Sequence, residues 1–286
     1  MKELFTGIKT EKASVPLSPA DRTMVLGSCF ADSIGERMKA GGFDVCVNPF
    51  GTLYNPASLA AAVSRLDSGV PFTPEECVRM GSGSDLVCSF SHHTSFARPT
   101  EEEFLAAANA SLERASEFWR GCDAVIITLG TARVWRRADT GEVVSNCLKR
   151  PGTEFTNGML SLAEVTSFLK EITDSHSGKR FIFTVSPIRH LGLGARDNTL
   201  SKATLHLALN GLQDDCSQVC YFPAYEILTD ELRDYRFYAE DLVHPAKIAV
   251  DIIWERFLDT FVPDSFRREI SDNEKAARRL AHRPMR

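Results

Sequence analysis

Five short apolar runs recur along the chain: Thr23–Leu26, Phe43–Val47, Ala124–Leu129, Phe181–Val185 and Val219–Phe222. Such near-continuous runs predict strands buried on both faces, as in a parallel sheet. Between them, apolar residues return at helical spacing. Phe30, Ile34 and Met38 mark one face of a helix from about Ala31 to Ala40, stopped by Gly41-Gly42. Asn55-Pro56 reads as a cap followed by proline at the first helical position. Thr100 with Glu103, and Ser161 with Glu164, have capping-box spacing and predict helices ending near Gly121 and Ile172. Leu200–Leu212 and Pro245–Phe261 complete the helices.

Strands alternating with helices predict an α/β fold, a central five-stranded parallel sheet covered on both faces, with its site at the strands' C-terminal ends. The stretch from about Asp67 to Pro99 breaks the rhythm with Gly69, Pro71, Pro74, Gly81 and Gly83, and reads as an insertion of hairpin type at about 67–100. The whole is read as one domain over 1–262, followed by a basic tail over 263–286 that we expect to be a solvated helix.

Composition adds exclusions. At 286 residues, 43% hydrophobic and 25% charged, the chain has ordinary globular proportions. A formal net charge of −5 gives no overall field for nucleic acid. No run is long enough for a membrane span, and Met1–Lys9 lacks the apolar core of a signal peptide. The eight cysteines form no CxxC. These features point to a reduced, cytoplasmic setting, with which an already removed leader is also compatible. Neither nucleic acid nor a membrane is expected as a partner.

The candidate chemistry lies at strand ends. The run Met24-Val25-Leu26-Gly27-Ser28-Cys29-Phe30 presents Ser28 on a strand-to-helix turn. Capping the helix is its bland role, and Cys29 is a rival nucleophile, since helix N-termini activate thiols. Ser28 is preferred here because Gly27 allows the tight turn immediately before it, while Cys29 and Phe30 are read as continuing into the buried side. Far downstream, Asp241-Leu242-Val243-His244-Pro245 has a carboxylate spaced to reach the His244 Nδ1, leaving Nε2 to take a proton from Ser28. Gly51, after the second strand, and Thr131, after the third, are candidate oxyanion donors. His93, Arg133, Arg189 and Lys202 are candidate substrate-binding side chains. The His92-His93 pair has no neighbouring Cys, Asp or Glu and makes a poor metal site, and neither metal nor cofactor is expected.

These motifs, in order, resemble the GSCFA domain family, whose signature stands here as Gly27-Ser28-Cys29-Phe30-Ala31. The likeness extends through Asn48–Pro56, Leu129–Ala132, Thr184–Pro187, Leu200–Ala203 and Asp241–Pro245, over roughly residues 20 to 260. The family in turn resembles SGNH/GDSL hydrolases. That implies a three-layer α/β/α sandwich of flavodoxin-like strand order, a triad of Ser28, His244 and Asp241, and oxyanion donors at the N–H groups of Ser28 and Gly51. The asparagine that such enzymes place after the third strand is missing from Gly130-Thr131-Ala132, so Thr131 takes its role in this reading. The resemblance implies a serine esterase removing an acyl group, often acetyl, from a sugar or small molecule. An O-acyltransferase on the same triad and a non-catalytic carbohydrate-binding protein are the alternatives.

Overall fold

The computed structural model of the chain describes residues 6–14 and 16–281. Its strands are β1 (Thr23–Gly27), β2 (Val45–Val47), β3 (Val78–Arg79), β4 (Val87–Cys88), β5 (Ala124–Leu129), β6 (Arg133–Arg137), β7 (Val143–Val144), β8 (Phe155–Met159), β9 (Arg180–Val185) and β10 (Val219–Tyr221). Its helices are α1 (Cys29–Gly41), α2 (Pro56–Ser68), α3 (Glu101–Arg120), α4 (Leu162–Asp174), α5 (Ala195–Asp215), α6 (Ala224–Glu226), α7 (Lys247–Phe261) and α8 (Arg267–Ala281).

The central sheet runs β2-β1-β5-β9-β10, all parallel. All five expected strands are present, and their order is the flavodoxin-like one. Successive side chains leave a strand on opposite faces, and two separate cores result. Met24, Val125, Ile127, Phe181 and Phe183 pack toward α2, α3, α4 and α5. Val25, Ala124, Ile126 and Ile182 pack toward α1 and α7 on the other side. The result is a three-layer α/β/α sandwich.

The predicted caps are made. Asn55 accepts the Ser58 N–H at 2.9 Å, and Ser161 and Glu164 form a reciprocal box at the start of α4. The stretch 67–100 contains the antiparallel pair β3–β4. The pattern did not reveal the antiparallel sheet β7-β6-β8 between α3 and α4; its strands are short and half-exposed, so no apolar run betrays them.

The basic end differs from a freely solvated helix. α8 lies on α1, with Ile270 buried, Asn273 donating to the Gly41 carbonyl at 3.1 Å, and Trp254 of α7 donating to Glu274 at 2.8 Å. Residues 282–286 of that tail lie outside the described residues.

Candidate active site

β1 ends in a turn that only glycine fits. Gly27 has φ +131°, and a Cβ there would stand 2.2 Å from the Thr128 carbonyl oxygen of β5. Its N–H donates to Asn48 Oδ1 at 2.8 Å, and Asn48 Nδ2 donates to Asp32 at 2.6 Å. The turn is therefore tied to the loop after β2 and to the first turn of α1.

The next two residues part company. Ser28 is the N-cap: it is fully buried, and its Oγ accepts the Phe30 N–H at 3.3 Å. Cys29, the first helical residue, is half-exposed and lines a cleft of about 530 Å³. Its Sγ lies 3.5 Å from His244 Nε2. The sequence pattern predicts Ser28 at the pocket-facing position; in the structure Cys29 occupies it, and Ser28 turns back onto its own helix. A helix advances about 100° per residue, so Cys29 leaves the buried stripe of Phe30, Ile34 and Met38 and shares a face with Asp32 and Ser33.

His244 is held as expected. Its Nδ1 meets Asp241 Oδ2 at 2.6 Å, while Asp241 Oδ1 accepts the N–H groups of Val243 and His244, both at 2.9 Å. The carboxylate is only an acceptor, so Nδ1 carries the proton and Nε2 presents a lone pair to the thiol. Tyr238 and Pro245 bridge the two arms of this loop, and Leu242 at its tip has φ +57°. Those hydrogen bonds, the two backbone ones first, hold the Asp241 carboxyl down at about 2. The stabilisation that this gives is complete above the ordinary carboxylate range and is lost as pH falls toward 2.

Burial pushes the Cys29 thiol above its usual range, and Asp32 adds to the push against the helix N-terminus and Lys202. The sulfur is thus a neutral thiol at rest and needs a base to ionise it.

The proposed oxyanion donors are not free. The Ser28 N–H donates to Thr128 at 3.1 Å and the Gly51 N–H to Asn48 at 2.8 Å. Gly51 faces His93, whose Cβ lies 2.4 Å from where a glycine Cβ would stand. Thr131 does line the cleft, but its N–H donates to the Tyr54 carbonyl at 2.9 Å and its hydroxyl pairs with Ser201 at 2.8 Å. By contrast, the Cys29 N–H has no acceptor among the described residues. It points from the first turn of α1, where the helix dipole favours negative charge.

Of the candidate binding residues, His93 is turned to Ser95, with Nδ1 3.1 Å from its hydroxyl, and does not line the cleft. Arg133 lines it but is occupied, with a bidentate pair to Asp197 and a 2.8 Å bond to Asn157. Lys202 is buried behind the floor, donating to the Gly130 and Ser186 carbonyls at 2.7 Å each. It clamps the ends of β5 and β9 and cannot reach a ligand. Arg189 lines the cleft without a carboxylate partner among the described residues.

Desolvation holds the Lys202 ammonium down at about 7. Between that value and the ordinary lysine range the unfolded chain binds the extra proton, so this group makes stability rise with pH. Urea unfolding from pH 7 to 8.5 should show that rise as the difference between the parent and Lys202→Met. Parallel curves for the two proteins would exclude it.

His190 escaped the sequence reading. It lines the cleft with its ring against Tyr54, 5.6 Å between centroids, and its Nε2 is buried without a partner. Burial first, then Lys202 and His244, hold its pKa at about 4, so the ring is neutral. A histidine in the loop after the fourth strand was the available signal.

A family model for the GSCFA family matches residues 22–257. The chain belongs to the GSCFA family. The match begins just before β1 and ends within α7, so it takes in the Gly27 turn, Cys29 and the Asp241–His244 loop of this GSCFA protein. No curated protein and no solved structure matches the chain. Among the described residues, no helix is long and apolar enough to cross a membrane.

Proposed function

We propose that this GSCFA protein is an acyl-ester hydrolase whose nucleophile is the Cys29 thiol rather than the Ser28 hydroxyl. The observation that carries this reading is the relay from Cys29 Sγ to His244 Nε2, 3.5 Å, and from His244 Nδ1 to Asp241, 2.6 Å. Nucleophile, base and orienter stand in the order such chemistry needs, and the resemblance to SGNH hydrolases agrees with the placement at the strand ends.

His244 Nε2 takes the thiol proton as Sγ bonds to the ester carbonyl carbon. The Cys29 N–H, at the positive end of α1, faces the oxygen that becomes negative. Collapse breaks the carbon–oxygen bond, and the alcohol leaves with the proton from His244. Water then gives a proton to His244 and attacks the thioester; carbon–sulfur cleavage releases the acid and returns the proton to the thiol. Asp241 keeps the base tautomer and stabilises the imidazolium throughout. Capture of the acyl group by an alcohol instead of water would make the same site an acyltransferase.

Incubation with p-nitrophenyl acetate at pH 7.5, rapid acid quench and peptide mapping tests the assignment. One acetyl group on Cys29, absent from His244→Ala, is expected. Acetylation of Ser28, or none on either residue, would overturn it.

A further inference from the structure

The cleft over Cys29 is uneven in charge. Among its lining residues, Asp197 is the only acid, and it is consumed by Arg133. The imidazole of His190 is neutral and uncharged groups make up the rest, apart from His244 with its own carboxylate and one guanidinium. Arg189 donates weakly to the Leu242 carbonyl at 3.4 Å, and its guanidinium carbon is 6.0 Å from the Tyr238 ring centre. No carboxylate among the described residues pairs with it. An unpaired guanidinium is costly to leave half-desolvated and is shaped to grip a carboxylate or phosphate with two parallel bonds.

Two large apolar side chains share this cleft while open to solvent: Trp135 is 42% and Leu193 is 55% exposed. Trp135 comes from β6 and Leu193 from the loop that also carries Arg189. A ligand held there meets hydrocarbon surface and the Arg189 side chain in the same cleft as the thiol.

We infer that the substrates of this site are anionic acyl esters, with a carboxylate or phosphate bound by Arg189 and hydrocarbon laid against Trp135 and Leu193. The inference rests on the cleft being the acyl site, and it predicts that a neutral ester is the poorer substrate.

Binding separates this claim from the chemistry. The Cys29→Ala protein, incapable of acylation, is titrated with phenyl phosphate and with monophenyl succinate, followed by tryptophan fluorescence; Trp135→Phe assigns the signal. Both ligands are expected to bind, and adding Arg189→Gln should weaken each about tenfold or more, the scale of a hydrogen-bonded charge pair. Binding of only one ligand with that dependence narrows the anion to carboxylate or to phosphate. No binding of either, or equal affinity with and without Arg189, overturns the inference. In parallel, the parent protein is assayed on p-nitrophenyl hemisuccinate and p-nitrophenyl butyrate, and Arg189→Gln should lower the hemisuccinate-to-butyrate ratio of kcat/KM by a similar factor. An Arg189-dependent affinity without turnover of any ester would sink the hydrolase reading and leave the anion site standing. Turnover with an unchanged ratio would do the reverse.

Discussion

Cys29→Ala is expected to lose ester turnover by a factor on the order of 10³ or more, the scale seen when a nucleophile is deleted from a cooperating triad. Ser28→Ala is the informative partner. Its hydroxyl is buried and accepts the Phe30 N–H, so its loss removes a helix cap, worth about 1 kcal/mol of stability. Turnover per folded molecule should persist in Ser28→Ala. Steady-state kinetics on both variants, with folded fraction taken from urea unfolding, check the pair. Retained turnover in Cys29→Ala together with its loss in Ser28→Ala would return the nucleophile to the serine. Because burial raises the Cys29 thiol above its ordinary range, iodoacetamide alkylation of native His244→Ala should gain rate only at higher pH than alkylation of the same protein in urea.

The second large effect is on folding. Gly27→Ala forces a side chain into φ +131° and puts its Cβ 2.2 Å from the Thr128 carbonyl, the acceptor of the Ser28 N–H. Backbone cannot yield as a flexible side chain would. Strain and the lost strand contact together should cost at least about 3 kcal/mol. Thermal and urea unfolding measure it. A loss below about 1 kcal/mol would show that β1 and β5 can separate locally, contrary to their packed register.

Much of this was legible because local rules decided it. The five apolar runs became five parallel strands, and the residues proposed as caps at Asn55 and Ser161 bond as caps. Asp241 and His244 are three residues apart, so their mutual reach is a property of one short loop. The sheet of β6, β7 and β8 was not legible, since half-exposed pairs such as Trp135 opposite Val144 and Asn157 leave no apolar run. Ser28 and Cys29 exchange the places expected of them, Ser28 being buried and Cys29 lining the cleft. The capping role that the sequence itself offered for Ser28 is the one realised, and an N-cap side chain folds back on its own helix.

The sequence by itself determined the elements, their alternation and the pairing of His244 with Asp241, because helical and strand periodicity, caps and short loops act over a few residues. Tertiary structure decided what that machinery faces. It brought Cys29 to a histidine 215 positions away and tied up the N–H groups of Ser28 and Thr131 in contacts between strand ends. It paired Arg133 with Asp197, buried Lys202 and left Arg189 open. Each outcome is a competition among donors, acceptors and charges from distant segments, and only packing fixes which partners are near enough to win.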